Sequence, residues 1–275
     1  MNSVLIISGT EDAHAKHMCS ILERRDIPYF LFPTDYPKAL EEMVGTEAKL
    51  TLRGFMQTHR GRVVNRPLAN SYAENKSEQL VRARRLGFHI PDTIITNSPE
   101  QAIGFYKKHG RDIIFKMQRL PIIQLGEGNH RTIMTRRVSE QDLEDLERIQ
   151  NCPCMFQERI PKTYEIRLTV IGEKLFPIAI HSQNSDYSQD DFRRYDFEKV
   201  KYEQVEIPEI LNKRVLGLVK SYGLYYAAID IIYTPSKEYV FLEINSNGQY
   251  LWTEEMSGVP ITEYFADYLA GVSNG

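Results

Sequence analysis

Three oxygen-bearing side chains near the C-terminus, Asp230, Glu243 and Asn245, carry the clearest chemical signal in this sequence. They lie in YAAIDIIYTPSKEYVFLEINSNGQYLW, residues 226–252, which reads as two apolar, β-branched strands around a Thr234-Pro235-Ser236-Lys237 turn. In a hairpin symmetric about Ser236 and Lys237, Asp230 stands directly opposite Glu243. Asn245 then shares that face, because side chains along a strand repeat with period two. Like charges facing each other across a ladder are destabilising unless something neutralises them. Carboxylates and an amide oxygen are the hard donors that Mg²⁺ takes when it also binds nucleotide phosphates. A solvated edge strand would explain any one of these residues. Their convergence just before Gly248 favours a metal shelf.

Other residues suit the same chemistry. In Glu165-Ile166-Arg167-Leu168-Thr169-Val170-Ile171 the odd positions share one face, so Glu165 and Arg167 point together, away from Ile166, Leu168 and Val170. The rigid donor fork of an arginine suits the spread charge of a transferring phosphoryl group. The plainer reading is a surface ion pair, contributing at most ~1 kcal/mol. Lys116 ends the apolar run Asp112-Ile113-Ile114-Phe115, where a lysine can meet phosphate oxygens as a point charge. Gly126-Glu127-Gly128-Asn129 is either a plain hairpin loop or backbone that closes over phosphates. Gln157-Glu158-Arg159-Ile160-Pro161 leaves one half of the chain for the other, and composition alone gives it no ligand.

The elements that must hold these groups alternate helix and strand. Val4–Ile7, a helix with Ala15, Met18, Ile21 and Leu22 on one face, and Tyr29–Phe32 form a βαβ opening with a parallel sheet. The stretch from Lys49 to Val64 reads as a short hairpin with Gly61 at its turn. Helices are expected over 77–86, closed by Gly87, and after the Ser98-Pro99-Glu100-Gln101 cap signal. A further helix capped by Ser139 turns Leu143, Leu146 and Ile149 inward. Strands follow at 154–158, 165–171 and 174–181, then a polar segment 182–195. A helix over 209–222 ends at Gly223, and a final one over 261–269 follows the hairpin. Mixed helices and antiparallel pairs make the class α+β, with boundaries expected at 1–68, 69–155 and 156–275.

The chain has 275 residues, 42% of them hydrophobic, enough for a substantial core. A net charge of -3 excludes bulk attraction to nucleic acid or anionic membrane as the organising interaction. No apolar run approaches the ~20 residues of a membrane span, and the N-terminus lacks signal-peptide features. Three cysteines, two of them in Cys152-Pro153-Cys154, make neither a disulfide framework nor a zinc spacing. A cytoplasmic protein with reduced thiols is expected.

The order ENKSEQLVRARRLGFHIPDTIITNSP, DIIFK, a glycine-bearing loop, QERI, EIRLTVIGEKLFPIAIHSQ and AAIDIIYTPSKEYVFLEINSNGQ resembles the ATP-grasp superfamily over nearly the whole chain after the N-terminal unit. It looks most like the branch of the ribosomal-protein glutamate ligase and the graspetide synthetases, which crosslink side chains of ribosomal peptides. VVNRPLAN, IHSQ and DDFRRYD look like the latter group. The resemblance implies two α+β lobes clamping ATP. Lys76 and Lys116 would then contact ATP, Gln157, Glu158 and Ile160 would form the adenine hinge, and Glu165 would hold the ribose hydroxyls. Arg167 would face the γ-phosphate, with Lys116 sharing the catalytic neutralisation. Asp230, Glu243 and Asn245 would hold Mg²⁺, or Mn²⁺ in its place, and Asn245 would also border the nucleotide. His181, Gln183, Arg193 and Arg194 would lie near the substrate. Two departures from the pattern are the loop QRLPIIQLGEGNHRT, poorer in glycine than in many members, and a short N-terminal domain.

The expected function is an ATP-dependent carboxylate–amine or carboxylate–hydroxyl ligase working through an acyl phosphate, with a ribosomal peptide as substrate. One alternative joins an amino acid to a small molecule or protein tail; another is a nucleotide-binding regulatory module without turnover. The expected partners are ATP and a peptide or small carboxylate or amine, with a homodimer left open.

Overall fold

In the computed structural model of the chain, residues 3–35, 43–118, 122–126, 129–184 and 199–271 are described. The N-terminal unit runs β1 (Val4–Ser8), α1 (Ala13–Arg24), β2 (Tyr29–Pro33) and α2 (Met43–Thr58). Asp12 caps α1 by accepting from the Ala15 N–H, and β1 pairs with β2 in parallel, as the βαβ pattern predicted. Ala15, Met18, Ile21 and Leu22 are the buried face of α1. Met18, Ile21 and Leu22 pack with Val4 and with Ala266 of the C-terminal helix, so this unit shares a core with the far end of the chain.

The expected hairpin over 49–64 is instead the helix α2. Alternating Leu50 and Leu52 mimic a strand, but the half-buried apolar residues Ala48, Leu52 and Met56 lie four apart, with half-buried Gln57 beside the last. The helix end is secured from outside the element. Arg66 donates to the carbonyls of Met56, Gln57, His59 and Gly61, taking acceptors that a helix C-terminus leaves open.

After α3 (Pro67–Ala73) and α4 (Lys76–Arg85) come β3 (Thr93–Thr96), α5 (Pro99–Lys108), β4 (Ile113–Lys116), β5 (Ile122–Gly126), β6 (Asn129–Thr132) and β7 (Arg136–Arg137). The short helix α6 (Glu140–Glu144) carries a capping box between Ser139 and Asp142. A 3-10 turn, Leu146–Asn151, then takes over, so the single helix expected there is two pieces. With β8 (Cys154–Glu158), strands β3, β4 and β7 make an antiparallel four-stranded sheet ordered β3-β8-β4-β7, covered by α5 through Ala102, Phe105 and Tyr106, while β5 and β6 pair in a separate two-stranded sheet.

The larger sheet is antiparallel, ordered β11-β10-β9-β12-β13. Its strands are β9 (Tyr164–Ile171), β10 (Lys174–Ile180), β11 (Tyr202–Gln204), β12 (Tyr226–Tyr233) and β13 (Tyr239–Asn245), with α7 (Glu209–Ser221) inserted before β12. Period two divides its faces. Ile166, Leu168 and Val170 pack with Ile229 and Ile231 against α4 and α7, forming the main core. The other face carries Glu165, Arg167 and Asp230. Helices α8 (Leu251–Ser257) and α9 (Ile261–Ala270) finish the chain, and α9 packs on α1. Among the described residues no helix is long and apolar enough to cross a membrane.

Candidate functional site

The hairpin β12–β13 pairs Asp230 with Glu243, though by a different route from the symmetric turn expected of the sequence. Tyr233 faces Tyr239, and Lys237 adopts a left-handed φ of 64°, so the loop is Pro235-Ser236-Lys237 and its centre is Ser236. That register would set Asp230 against Leu242. A bulge between Ile231 and Asp230 leaves Leu242 without a rung and brings Glu243 opposite Asp230. Burial records the same event: Phe241 and Ile244, three apart, both enter the main core. The half-exposed Leu242 and Glu243 between them turn to the other face.

Each carboxylate meets a cation. The Arg167 guanidinium reaches both oxygens of Asp230, at 2.9 and 3.1 Å, from directly across the β9–β12 ladder. Both residues are buried. Burial works against the charge on Arg167, but Asp230 beside it outweighs this and holds its pKa above the ordinary arginine value. The same guanidinium donates to the Gln249 carbonyl at 3.0 Å, while its Nε is buried without a partner. Gly248 makes room for it: a Cβ there would stand 2.5 Å from the Ala228 Cβ and 2.6 Å from Arg167 Nη2. Lys76, the first residue of α4, sets its Nζ 2.7 Å from Glu243. The Asn245 side-chain oxygen accepts the Asn247 N–H at 3.1 Å.

Glu165 is buried on the same face, two residues from Arg167. Lys162 Nζ lies 2.6 Å from one of its oxygens, and Ser182 donates to the other. His181 pairs with Glu203 at 2.8 Å, and Gln183 reaches the Ser182 hydroxyl at 3.4 Å. Arg193, Arg194, Glu127 and Gly128 lie outside the described residues.

The other sheet carries the remaining candidates. Lys116 ends β4 and pairs with Met155 of β8. Gln157 is buried, donates to the Thr93 hydroxyl at 2.9 Å, and leaves its amide oxygen without a partner. Glu158 accepts the Asp92 N–H at 2.8 Å, and Arg159 grips both oxygens of Asp112 at 2.8 and 2.9 Å. The segment crossing between the sheets is thus braced from both sides. Ile160 lines a cleft of about 480 Å³ with Pro161, Thr234 and Val240.

Several residues of this arrangement escape sequence reasoning. Gln79 donates to the Ala73 and Ile244 carbonyls and accepts the Ile244 N–H, fixing α4 to β13. Asn65 does the same for the start of β12 and the loop after β13. Both are amides paired with backbone far away in sequence, which no local pattern announces. Leu242 had a signal: the unbroken run Val240-Phe241-Leu242 violates strand alternation.

Among the described residues no three His, Cys, Asp or Glu side chains gather as a metal cluster. The oxygen set is two opposed carboxylates and an amide, with cations already balancing the acids. That chemistry suits Mg²⁺ shared with phosphates, because the ion needs few protein ligands when phosphates and water complete its shell.

The profile of the family described as "RimK-like ATP-grasp domain" matches residues 73–269. Over 199 residues the chain is 24% identical to the alpha-aminoadipate–LysW ligase LysX of Sulfurisphaera tokodaii. That match covers 70% of this chain and 65% of the ligase, so the chain spans just under two thirds of that relative's length. A RiPP-associated ATP-grasp ligase of Chryseobacterium gregarium, solved with ADP and a leader and core peptide, superposes with a TM-score of 0.89 at 27% identity. That comparison covers 99% of this chain and 98% of the ligase. The macrocyclase MdnC of Microcystis aeruginosa MRC, bound to the precursor peptide MdnA, gives 0.84 at 27% identity over 98% of this chain and 100% of that one.

Proposed function

We propose, proceeding from the fact that this chain belongs to the RimK-like ATP-grasp family, that it is an ATP-dependent, ADP-forming ligase. It activates a carboxylate as an acyl phosphate and joins it to an amine or hydroxyl of a ribosomal peptide. The observation that carries the reading is the rung Asp230–Glu243, with Arg167 bonded to Asp230 at 2.9 Å on the same face. The peptide as substrate is supported by the likeness, over almost the full chain, to a ligase solved with a leader and core peptide and a macrocyclase solved with its precursor peptide.

In this reading a substrate carboxylate oxygen attacks the γ-phosphorus and the bond to ADP breaks. The acceptor nitrogen or oxygen then attacks the acyl carbon, loses its proton, and inorganic phosphate leaves. Asp230, Glu243 and Asn245 hold Mg²⁺, which when bound supplies Lewis-acid stabilisation of phosphate charge. Arg167, fixed by Asp230 and Gln249, presents its remaining donor edge to the transferring phosphoryl group without reorganising. Lys116 adds a point charge from the end of β4. The vacant amide oxygen of Gln157 accepts from the exocyclic amine of adenine, and Glu158 and Ile160 keep the crossing segment in place beside the base. Glu165 orients ribose hydroxyls while Lys162 and Ser182 hold the carboxylate still. His181 and Gln183, one strand away, border the acceptor, and Arg193 and Arg194 are carried as substrate contacts.

A second reading, in which an amino acid is joined to a protein tail or small molecule, rests on the likeness to the alpha-aminoadipate–LysW ligase LysX. One experiment separates the two: Mg²⁺-ATP, a pool of peptides and amino acids, and mass spectrometry of the products. Loss of one water per bond within a peptide is expected. Addition of an amino acid to a peptide or protein supports the second reading, and absence of ADP release with every substrate overturns both.

A further inference from the structure

The two cations at the carboxylate rung differ in their freedom. Arg167 is buried, contacts both oxygens of Asp230, donates to the Gln249 carbonyl and is packed against Gly248. Moving it would rebuild two strand ends. The Lys76 side chain is 25% exposed, that of Glu243 is 20% exposed, and Nζ approaches the carboxylate to 2.7 Å. Its backbone is nonetheless fixed. Asn75 caps α4 by accepting the Glu78 N–H at 3.0 Å, and Gln79, one turn on, bonds Ile244 beside Glu243. Only the four-carbon stem of the lysine is left to swing, carrying a compact charge that any phosphate oxygen can accept.

We infer that Lys76 is a resident counter-ion that an incoming divalent metal must displace. It neutralises Glu243 while the site lacks metal and moves to a phosphate oxygen when a metal nucleotide arrives. The inference rests on the proposed metal role of Asp230 and Glu243 and adds a competition to it. In the absence of ligand Glu243 is paired with Lys76 and Asp230 with Arg167. A divalent ion arriving at Glu243 repels an ammonium held there, and the phosphates that accompany it attract that ammonium. The exchange keeps each charge partnered in both states, and it makes metal and nucleotide binding mutually dependent. Metal alone has to evict Lys76 with nowhere to send it; metal with phosphate provides the destination.

The test uses the nucleotide-free full chain and Mn²⁺ as probe, read by electron paramagnetic resonance of the free ion and by melting temperature. Lys76→Met is expected to bind Mn²⁺ about fivefold more tightly than the unmodified protein, the scale of one partly exposed ion pair. It should also bind Mg²⁺-ADP more weakly, because the phosphate loses its lysine. Lys76→Arg, which keeps the charge, should track the unmodified protein in the Mn²⁺ titration. A lysine that only pins α4 to β13 would lower the melting temperature of Lys76→Met and leave Mn²⁺ affinity unchanged; that result overturns the counter-ion role and leaves the metal site standing. No Mn²⁺ response in any of the three proteins, with or without ADP, overturns the metal reading and the inference together.

Discussion

Asp230 and Glu243 share a rung of the ladder but not an environment. The Asp230 side chain is 10% exposed and its partner Arg167 7%, whereas Lys76 and Glu243 sit at 25% and 20%. Removing one member of a buried pair strands the other charge in a poor solvent, at a cost of about 3–5 kcal/mol; a partly exposed pair contributes about 1 kcal/mol or less. Asp230→Asn should therefore lose both stability, by about 3 kcal/mol, and turnover. Glu243→Gln should lose turnover alone, with stability within about 1 kcal/mol of the parent. Urea unfolding alongside single-turnover ADP release distinguishes the two, and equal stability losses would show that the rung is one buried unit. On the sequence the two acids looked equivalent, because spacing reports which face a residue takes and says nothing of how deep its partner lies.

At the scale of elements, the hairpin shows what a strand pattern conveys and what it omits. The alternation of β9 was legible because one of its faces packs on the α4–α7 core while the other takes Glu165, Arg167 and Thr169. The facing of Asp230 and Glu243 was legible too, yet only because two irregularities cancel: a loop centred on Ser236 shifts the register, and the bulge at Leu242 shifts it back. The helix α2 was not legible, since its end is secured by Arg66, an arginine beyond the element. The bulge yields a prediction. Deleting Leu242 should give a regular ladder that still sets Asp230 against Glu243, so the chain should fold and keep its metal response. What goes is an apolar side chain beside Glu243 on the face assigned to the nucleotide. Burying a leucine is worth about 1.5–3 kcal/mol, so ADP affinity should fall roughly tenfold or more. Calorimetric titration of ADP and Mn²⁺ checks both halves; a lost metal response with intact ADP binding would mean that the bulge itself aims the carboxylate.

Across the whole molecule, the shelf depends on residues that belong to neither of its strands. Asn65, ahead of α3, accepts the N–H groups of Tyr225 and Tyr226 and donates to the carbonyls of Tyr226 and Ser246. One amide thereby ties the entry of β12 to the exit of β13, and the next residues, Gly248 and Gln249, are those against which Arg167 rests. The N-terminal unit is tied in a second place, where α1 packs on α9. The molecule therefore closes into a ring of contacts in which the chain before α3 fixes the geometry of a site almost entirely encoded after it. Asn65→Ala leaves four backbone groups short of a partner, three in buried hydrogen bonds and the Tyr225 N–H in a part-buried one, each a cost of about 1–3 kcal/mol when water cannot reach it. With partial relaxation the expected loss is about 3 kcal/mol, or roughly 6–12 °C in melting temperature. A purely structural staple would stop there. Because the segment it releases also buttresses Arg167, the Ala variant should bind Mg²⁺-ADP at least severalfold more weakly even at temperatures where it is fully folded. Nucleotide affinity unchanged in the folded variant would separate the staple from the site and leave Gly248 and Asp230 as sufficient anchors for Arg167.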